Sequence, residues 1–127
     1  MSSELTTNWV VLYGPEFFSW WSNQSPEIQD RMFQSIRLLQ QFGPFLQRPY
    51  ADTVKGSLFP NMKELRVQVA GKPIRAFYAF DMQRQAIVLC AGDKTGNKRF
   101  YSEMIALADR EFANYLEKLG EKSEQLR

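Results

Sequence analysis

The side chains available for chemistry in this chain are lysine, arginine, tyrosine and the carboxylates, because its 127 residues include no histidine and one cysteine, Cys90. Ser–His triads, HExxH zinc sites and histidine acid–base pairs are therefore excluded. A lone cysteine builds no thiolate zinc site, and within the apolar run Ala86-Ile87-Val88-Leu89-Cys90 it reads as an inert core residue. The Lys94-Thr95 pair lacks the GxxxxGK[ST] order of a phosphate-cradling loop, no GxGxxG occurs, and paired carboxylates at a useful spacing are missing from the strand region. The sequence thus supports no metal, no redox group and no small-molecule cofactor.

The remaining set suits RNA. The ribose 2′-hydroxyl is an internal nucleophile, so a protein has only to position it, neutralise the pentacoordinate phosphate and assist two proton transfers. Guanidinium groups donate bidentately to phosphate and stay charged. A crowded lysine can fall far enough in pKa to accept a proton, and tyrosine stacks on unpaired bases or serves as a weak acid.

Charge is segregated along the chain. Residues 55–99 carry nine basic side chains (Lys55, Lys63, Arg66, Lys72, Arg75, Arg84, Lys94, Lys98, Arg99) against three acidic ones (Glu64, Asp81, Asp93). The rest has seven basic and eleven acidic residues, so a net +6 segment sits on a −4 remainder. This is either a polyanion-facing surface, with Lys63, Arg66, Lys98 and Arg99 as its RNA contacts, or a scatter of solubilising charges.

Several elements are needed to position these groups. Residues 9–13 read as a short β-rich strand ended by Gly14-Pro15, and residues 16–22 as a short helix. Ser25-Pro26 is an N-cap followed by a proline at N1; Ile28, Met32, Phe33, Ile36, Leu39 and Phe42 then recur at helical spacing up to Gly43-Pro44. Residues 44–60 read as an irregular connection. Residues 63–69 alternate, with Leu65, Val67 and Val69 opposite Glu64, Arg66 and Gln68. Residues 74–80 alternate again, with Arg75, Phe77 and Ala79 opposite Ile74, Ala76, Tyr78 and Phe80. The run at 86–90 reads as a central strand. A loop at 92–97 leads to a last helix with Tyr101, Met104, Ile105, Ala108, Phe112, Tyr115, Leu116 and Leu119 on its inner stripe. The order β-α-α-β-β-β-α predicts an α+β fold, a mainly antiparallel sheet with helices packed on it.

Length points to a single domain over 1–127, with the ends at about 1–7 and 120–127 expected to be unstructured. The single cysteine, the lack of a signal-peptide pattern at 1–8 and the lack of any long apolar run lead us to expect a cytoplasmic protein with no membrane contact.

Four blocks, Arg48-Pro-Tyr-Ala-Asp-Thr-Val-Lys-Gly-Ser57, Asn61-Met-Lys-Glu-Leu-Arg66, Ile74-Arg-Ala-Phe-Tyr-Ala-Phe-Asp81 and Ala91-Gly-Asp-Lys-Thr-Gly-Asn-Lys-Arg-Phe-Tyr101, closely resemble the phage-derived HigB-like toxins of the RelE/ParE superfamily. The resemblance runs from about Trp9 to Leu119. It implies a RelE-like fold and the toxin of a type II toxin–antitoxin pair: a ribosome-dependent mRNA endoribonuclease needing no metal, neutralised by a HigA-like helix-turn-helix antitoxin.

The resemblance also implies site residues. Arg75, opening the middle strand, matches the arginine set against the scissile phosphate; Lys94 matches the basic residue of the loop before the last helix; Tyr101 matches the tyrosine at the cleaved nucleotide. The lysines of the preceding strand are not matched, since Lys63 is offset and Glu64 takes one of the places, and the histidines of some HigB toxins have no counterpart. The general base is therefore left open. Blander readings stand beside these: Arg75 pairs with Glu64 across adjacent strands, Lys94 is a solvated turn residue, Tyr101 is core, and Trp20, Trp21, Phe33 and Phe42 are core or antitoxin-facing. Two other functions share the fold, a ParE-type gyrase poison and a decayed prophage toxin that only binds its antitoxin.

Overall fold

The structure, a computed structural model, describes residues 8–125. In chain order it contains β1 (Val11–Tyr13), α1 (Pro15–Ser22), α2 (Pro26–Phe42), a 3₁₀ turn at Gly43–Phe45, β2 (Ala51–Thr53), β3 (Lys63–Val69), β4 (Lys72–Phe80), β5 (Ala86–Asp93) and α3 (Phe100–Gln125). The five strands form one sheet in the order β1-β5-β4-β3-β2. β1 runs parallel to β5, and every other pairing is antiparallel. The chain leaves β1 through two helices and crosses to the far edge before returning strand by strand, so the first and last strands become neighbours.

Local chemistry sets the boundaries. Ser25 Oγ accepts the Ile28 N–H at 3.3 Å, capping α2, and Pro26 takes the first-turn position where its missing N–H costs nothing. The helix stops at Gly43, whose φ of +55° lies in the region glycine favours. Trp9 packs its indole directly onto that glycine, where a Cβ would overlap the ring, and its backbone N–H donates to Gln40 O at 2.7 Å.

The sheet is covered on both faces. Leu65, Val67, Ile74, Tyr78 and Val88 pack against Phe17 of α1 and Met32, Ile36 and Leu39 of α2. Phe77, Ala79, Ile87, Leu89 and Cys90 pack against Ile105, Ala108 and Phe112 of α3. The uninterrupted apolar run of β5 follows from this double burial. A bulge, with Phe77 opposite Cys90 but Tyr78 opposite Val88, turns the extra Leu89 toward α3 as well.

Three sequence expectations change. The connection over 44–60 is not wholly irregular: it holds the 3₁₀ turn and the edge strand β2, paired with β3 through Ala51↔Leu65, Asp52↔Glu64 and Thr53↔Lys63. Phe33 and Phe42, placed on the helical stripe of α2, are exposed, because they flank the buried line of Ile28, Met32, Ile36 and Leu39. The last helix continues to Gln125, past the point where an unstructured end was expected; residues 1–7 and 126–127 lie outside the described ones.

Two carboxylates tie α3 down. Asp109 accepts the Ser57 hydroxyl and the Leu58 N–H (2.9 Å), fastening the loop between β2 and β3. Asp81 accepts the Tyr115 hydroxyl at 2.7 Å and the N–H groups of Gln83 and Gln85 at 2.9 Å, fastening the β4–β5 turn.

Candidate functional site

Register brings the polar cluster together. β3 and β4 pair with Arg66 directly opposite Arg75 and Glu64 opposite Phe77. Cross-strand partners share a face, so Glu64, Arg66 and Arg75 all lie on the side of the sheet that carries α3. That helix packs over β4 and β5. Farther along the same face, Gln68 is exposed and Arg66 and Asp52 are partly exposed.

Glu64 is the hub, only 4% exposed. Its Oε2 is 3.0 Å from Arg66 Nη1, and its Oε1 accepts the Tyr101 hydroxyl at 2.8 Å. Arg75, buried as well, brings Nε to 3.7 Å from the same Oε1, an ion pair without a hydrogen bond. Its Nη1 donates to Ile74 O at 3.0 Å, while Nε has no acceptor. A buried guanidinium N–H without an acceptor is costly, and here it sits beside a carboxylate that is already shared by two other donors.

Tyr101, in the first turn of α3, is steered by aromatic contacts: its ring meets Phe77 edge-on at 6.1 Å and Phe100 at 5.4 Å. Burial, then the bond to Glu64, raises the phenol above its ordinary pKa, so at neutral pH it is a proton donor. Lys94 holds Nζ 5.7 Å from the centre of the Tyr101 ring. The arrangement thus sets one carboxylate and one protonated phenol among three cations, Arg66, Arg75 and Lys94. It offers a proton acceptor, a proton donor and fixed positive charge within one patch.

The family model of the phage-derived Gp49-like proteins (DUF891) matches residues 19–113. The chain belongs to this family. It is 43% identical over 108 residues to the Mycobacterium tuberculosis candidate toxin HigB3, covering 84% of this chain and 93% of the relative. It is 42% identical over 100 residues to the candidate toxin HigB2 of the same organism, covering 77% of this chain and 50% of that one. A double-arginine mutant of Escherichia coli toxin RelE in the free state superposes with a TM-score of 0.54 over 74% of this chain and 92% of that chain; at 7% identity the likeness is one of fold. The resemblance read from the sequence therefore holds: this is a HigB-like toxin with a RelE-like α+β fold.

Of the residues expected in the toxin's site, Arg75, Arg66, Lys94 and Tyr101 come together. The blander reading of Arg75 is also realised, since it does pair with Glu64. Lys63 does not join them. It alternates with Glu64, stands opposite Thr53 and Tyr78, and lines a recess on the other face with Pro44, Phe45 and Leu46. Lys98 and Arg99 are exposed in the turn entering α3, where Arg99 N–H donates to Asn97 Oδ1 at 3.0 Å. Cys90 is buried, its thiol pushed up to about 12 first by burial and then by Glu111 and Glu16. Among the described residues no group of three or more His, Cys, Asp or Glu side chains stands close enough to hold a metal ion, and no helix is long and apolar enough to cross a membrane.

The residue that sequence reasoning did not place in the site is Glu64. The sequence offered it as a cross-strand partner of Arg75, as the occupant of a place where relatives carry lysine and, with Lys63, as the first place to look for an unassigned base. Its spacing from Arg66 put both on one face, but its central position depends on the β3–β4 register and on where α3 begins.

Proposed function

We propose that the toxin cleaves mRNA in the ribosomal A site by attack of the ribose 2′-oxygen on the adjacent phosphorus. The Glu64 carboxylate takes the 2′-hydroxyl proton, the P–O5′ bond breaks, and Tyr101 protonates the departing 5′-oxygen, leaving a 2′,3′-cyclic phosphate and a 5′-hydroxyl. Arg75 and Arg66 carry the charge that builds on the phosphorane oxygens, and Lys94, beside the Tyr101 ring, stabilises the phenolate left behind. Lys98 and Arg99, at the entrance to α3, contact phosphates away from the cut. A HigA-like helix-turn-helix antitoxin neutralises the activity in the cytoplasm.

The observation that supports this reading most is the shared coordination of Glu64 by Arg66, Arg75 and Tyr101, which supplies acid–base groups and phosphate charge without histidine. The test is to map transcript 5′ ends after inducing the toxin and its Arg75→Ala and Glu64→Gln variants. Codon-phased cuts that vanish in both variants are expected. Growth arrest with no new 5′ ends but with double-strand breaks at gyrase sites would replace the ribonuclease reading with the gyrase-poison one.

A further inference from the structure

The block Arg48-Pro-Tyr-Ala-Asp52 has no part in the mechanism above, yet it borders the same face. Tyr50 extends the β2–β3 register one place beyond Ala51↔Leu65, opposite Arg66, whose N–H donates to Tyr50 O at 2.8 Å. Its own N–H donates to Gln47 O at 3.0 Å, closing a turn that holds the residue in place. Two positions on, Asp52 stands opposite Glu64, on the cluster's face. Arg48 bonds Asp52 through Nε at 2.8 Å. The Asp52 carboxyl is held below its usual range first by Arg48 and then by the Thr53 N–H. Tyr50 is 52% exposed and has no aromatic neighbour among the described residues.

An aromatic ring left half in solvent and anchored through its backbone, with Arg48 two positions before it in the chain and Arg66 opposite it in the sheet, fits an unpaired nucleobase with phosphates on either side. Stacking on aromatic and guanidinium planes is how proteins hold single-stranded RNA. We infer that Tyr50 is a stacking platform for a nucleobase next to the scissile phosphate, with Arg48 and Arg66 meeting the adjoining phosphates. Tyr101 and Lys94 then form one wall of the RNA path and Tyr50 the other, with Glu64 and Arg75 on the floor between them. This inference rests on the ribonuclease reading and adds to it a binding residue that takes no part in proton transfer.

The test uses the full-length toxin with translating ribosomes and a defined mRNA. Removing one base–aromatic stack weakens binding roughly 5- to 150-fold. Tyr50→Ala is expected to raise KM by that factor with kcat and the pH profile nearly unchanged, while Tyr50→Phe and Tyr50→Trp restore KM because they keep the ring. In parallel, a 2′-O-methyl single-stranded oligonucleotide carrying 2-aminopurine reports stacking directly: wild type quenches its emission and Tyr50→Ala does not. Wild-type KM in Tyr50→Ala, with Arg75→Ala inactive, overturns the platform and leaves the ribonuclease reading standing. A loss in Tyr50→Phe equal to that in Tyr50→Ala overturns it too, because the hydroxyl would then be what matters. Unchanged cleavage with weakened antitoxin binding in Tyr50→Ala assigns the surface to protein instead. If the wild type cuts no mRNA, the ribonuclease reading and the platform fall together.

Discussion

Replacing Glu64 by glutamine separates the two roles assigned to that carboxylate. Glutamine keeps the volume and one acceptor for Tyr101 but removes the negative charge facing Arg75, whose side chain is 7% exposed, and Arg66, whose side chain is 27% exposed. Removing one partner of a buried ion pair costs about 3–5 kcal/mol. The lower end applies here, because the Arg75 contact is 3.7 Å long without a hydrogen bond and Arg66 is rehydrated at its exposed end. A domain of this length has roughly 6–19 kcal/mol of stability, so Glu64→Gln stays folded, with a melting temperature lower by about 10 °C. Loss of the proton acceptor lowers the cleavage rate by ~10²–10⁴-fold.

The double variant Glu64→Gln/Arg75→Met removes both buried charges. Replacing a whole buried pair by apolar groups is often neutral or stabilising, so much of the lost melting temperature returns while activity does not. Circular dichroism melts, paired with cleavage of a ribosome-bound mRNA, read the two effects independently. Activity that recovers together with stability in the double variant would refute the catalytic assignment, since the single variant's defect would then be one of folding. A Glu64→Gln toxin within tenfold of wild-type cleavage would refute it as well.

Neutralising Lys94, Lys98 and Arg99 together flattens the salt dependence of ribosome or RNA binding by about 0.7–0.9 in logarithmic slope for each phosphate that no longer meets a cation; an unchanged slope counts against a phosphate-facing surface. Purified toxin cuts naked RNA negligibly and A-site codons once translating ribosomes are added, because positioning by the ribosome supplies several kcal/mol that this site lacks by itself; efficient cleavage of free RNA contradicts that. Gly43→Ala loses roughly 2 kcal/mol or more, through the +55° φ and the overlap with Trp9, seen as a lower urea midpoint at constant m. At Asp81, burial alone would raise the carboxyl, but the bonds from Tyr115, Gln85 and Gln83 outweigh it and hold it below its usual range. Its stabilising contribution is therefore full above pH ~4, the unfolded value, and is lost as pH falls through the lower folded value. Asp81→Asn lowers the melting temperature at pH 7 by a margin that narrows below about pH 4; a gap that stays constant down to pH 2 excludes this linkage.

How much of this could be read from the sequence depended on whether a signal was local. α2 carries its own cap, stripe and stop within residues 25–43, and β3 and β4 carry their alternation, so both were legible. β2 was not: Ala-Asp-Thr has no strand pattern and becomes one only through pairing with Leu65, Glu64 and Lys63. The parallel pairing of β1 with β5 likewise joins residues some seventy-five apart, such as Val11 and Ala86. The site divides along the same line. Arg75, Lys94 and Tyr101 were singled out through their motifs and lie close together, whereas Lys63, expected among the RNA contacts with Arg66, lies on the other face, because a run of positive charge does not say which face each lysine takes. Alternation does say so, and it already puts Lys63 with Leu65 and Glu64 with Arg66.

What alternation could not supply is the pairing of Arg66 with Arg75, which sets two guanidinium groups side by side in the sheet. Like charges directly opposite each other destabilise a strand pair, so a β3–β4 register of this kind needs an anion within reach of both. Glu64 is that anion in the free toxin. A substrate phosphate bearing charge against the same two arginines would relieve Glu64 of part of its pairing and leave the carboxylate freer to take a proton. On the proposed mechanism, Glu64 would then serve as structural partner in the free toxin and as base once a phosphate occupies the arginines.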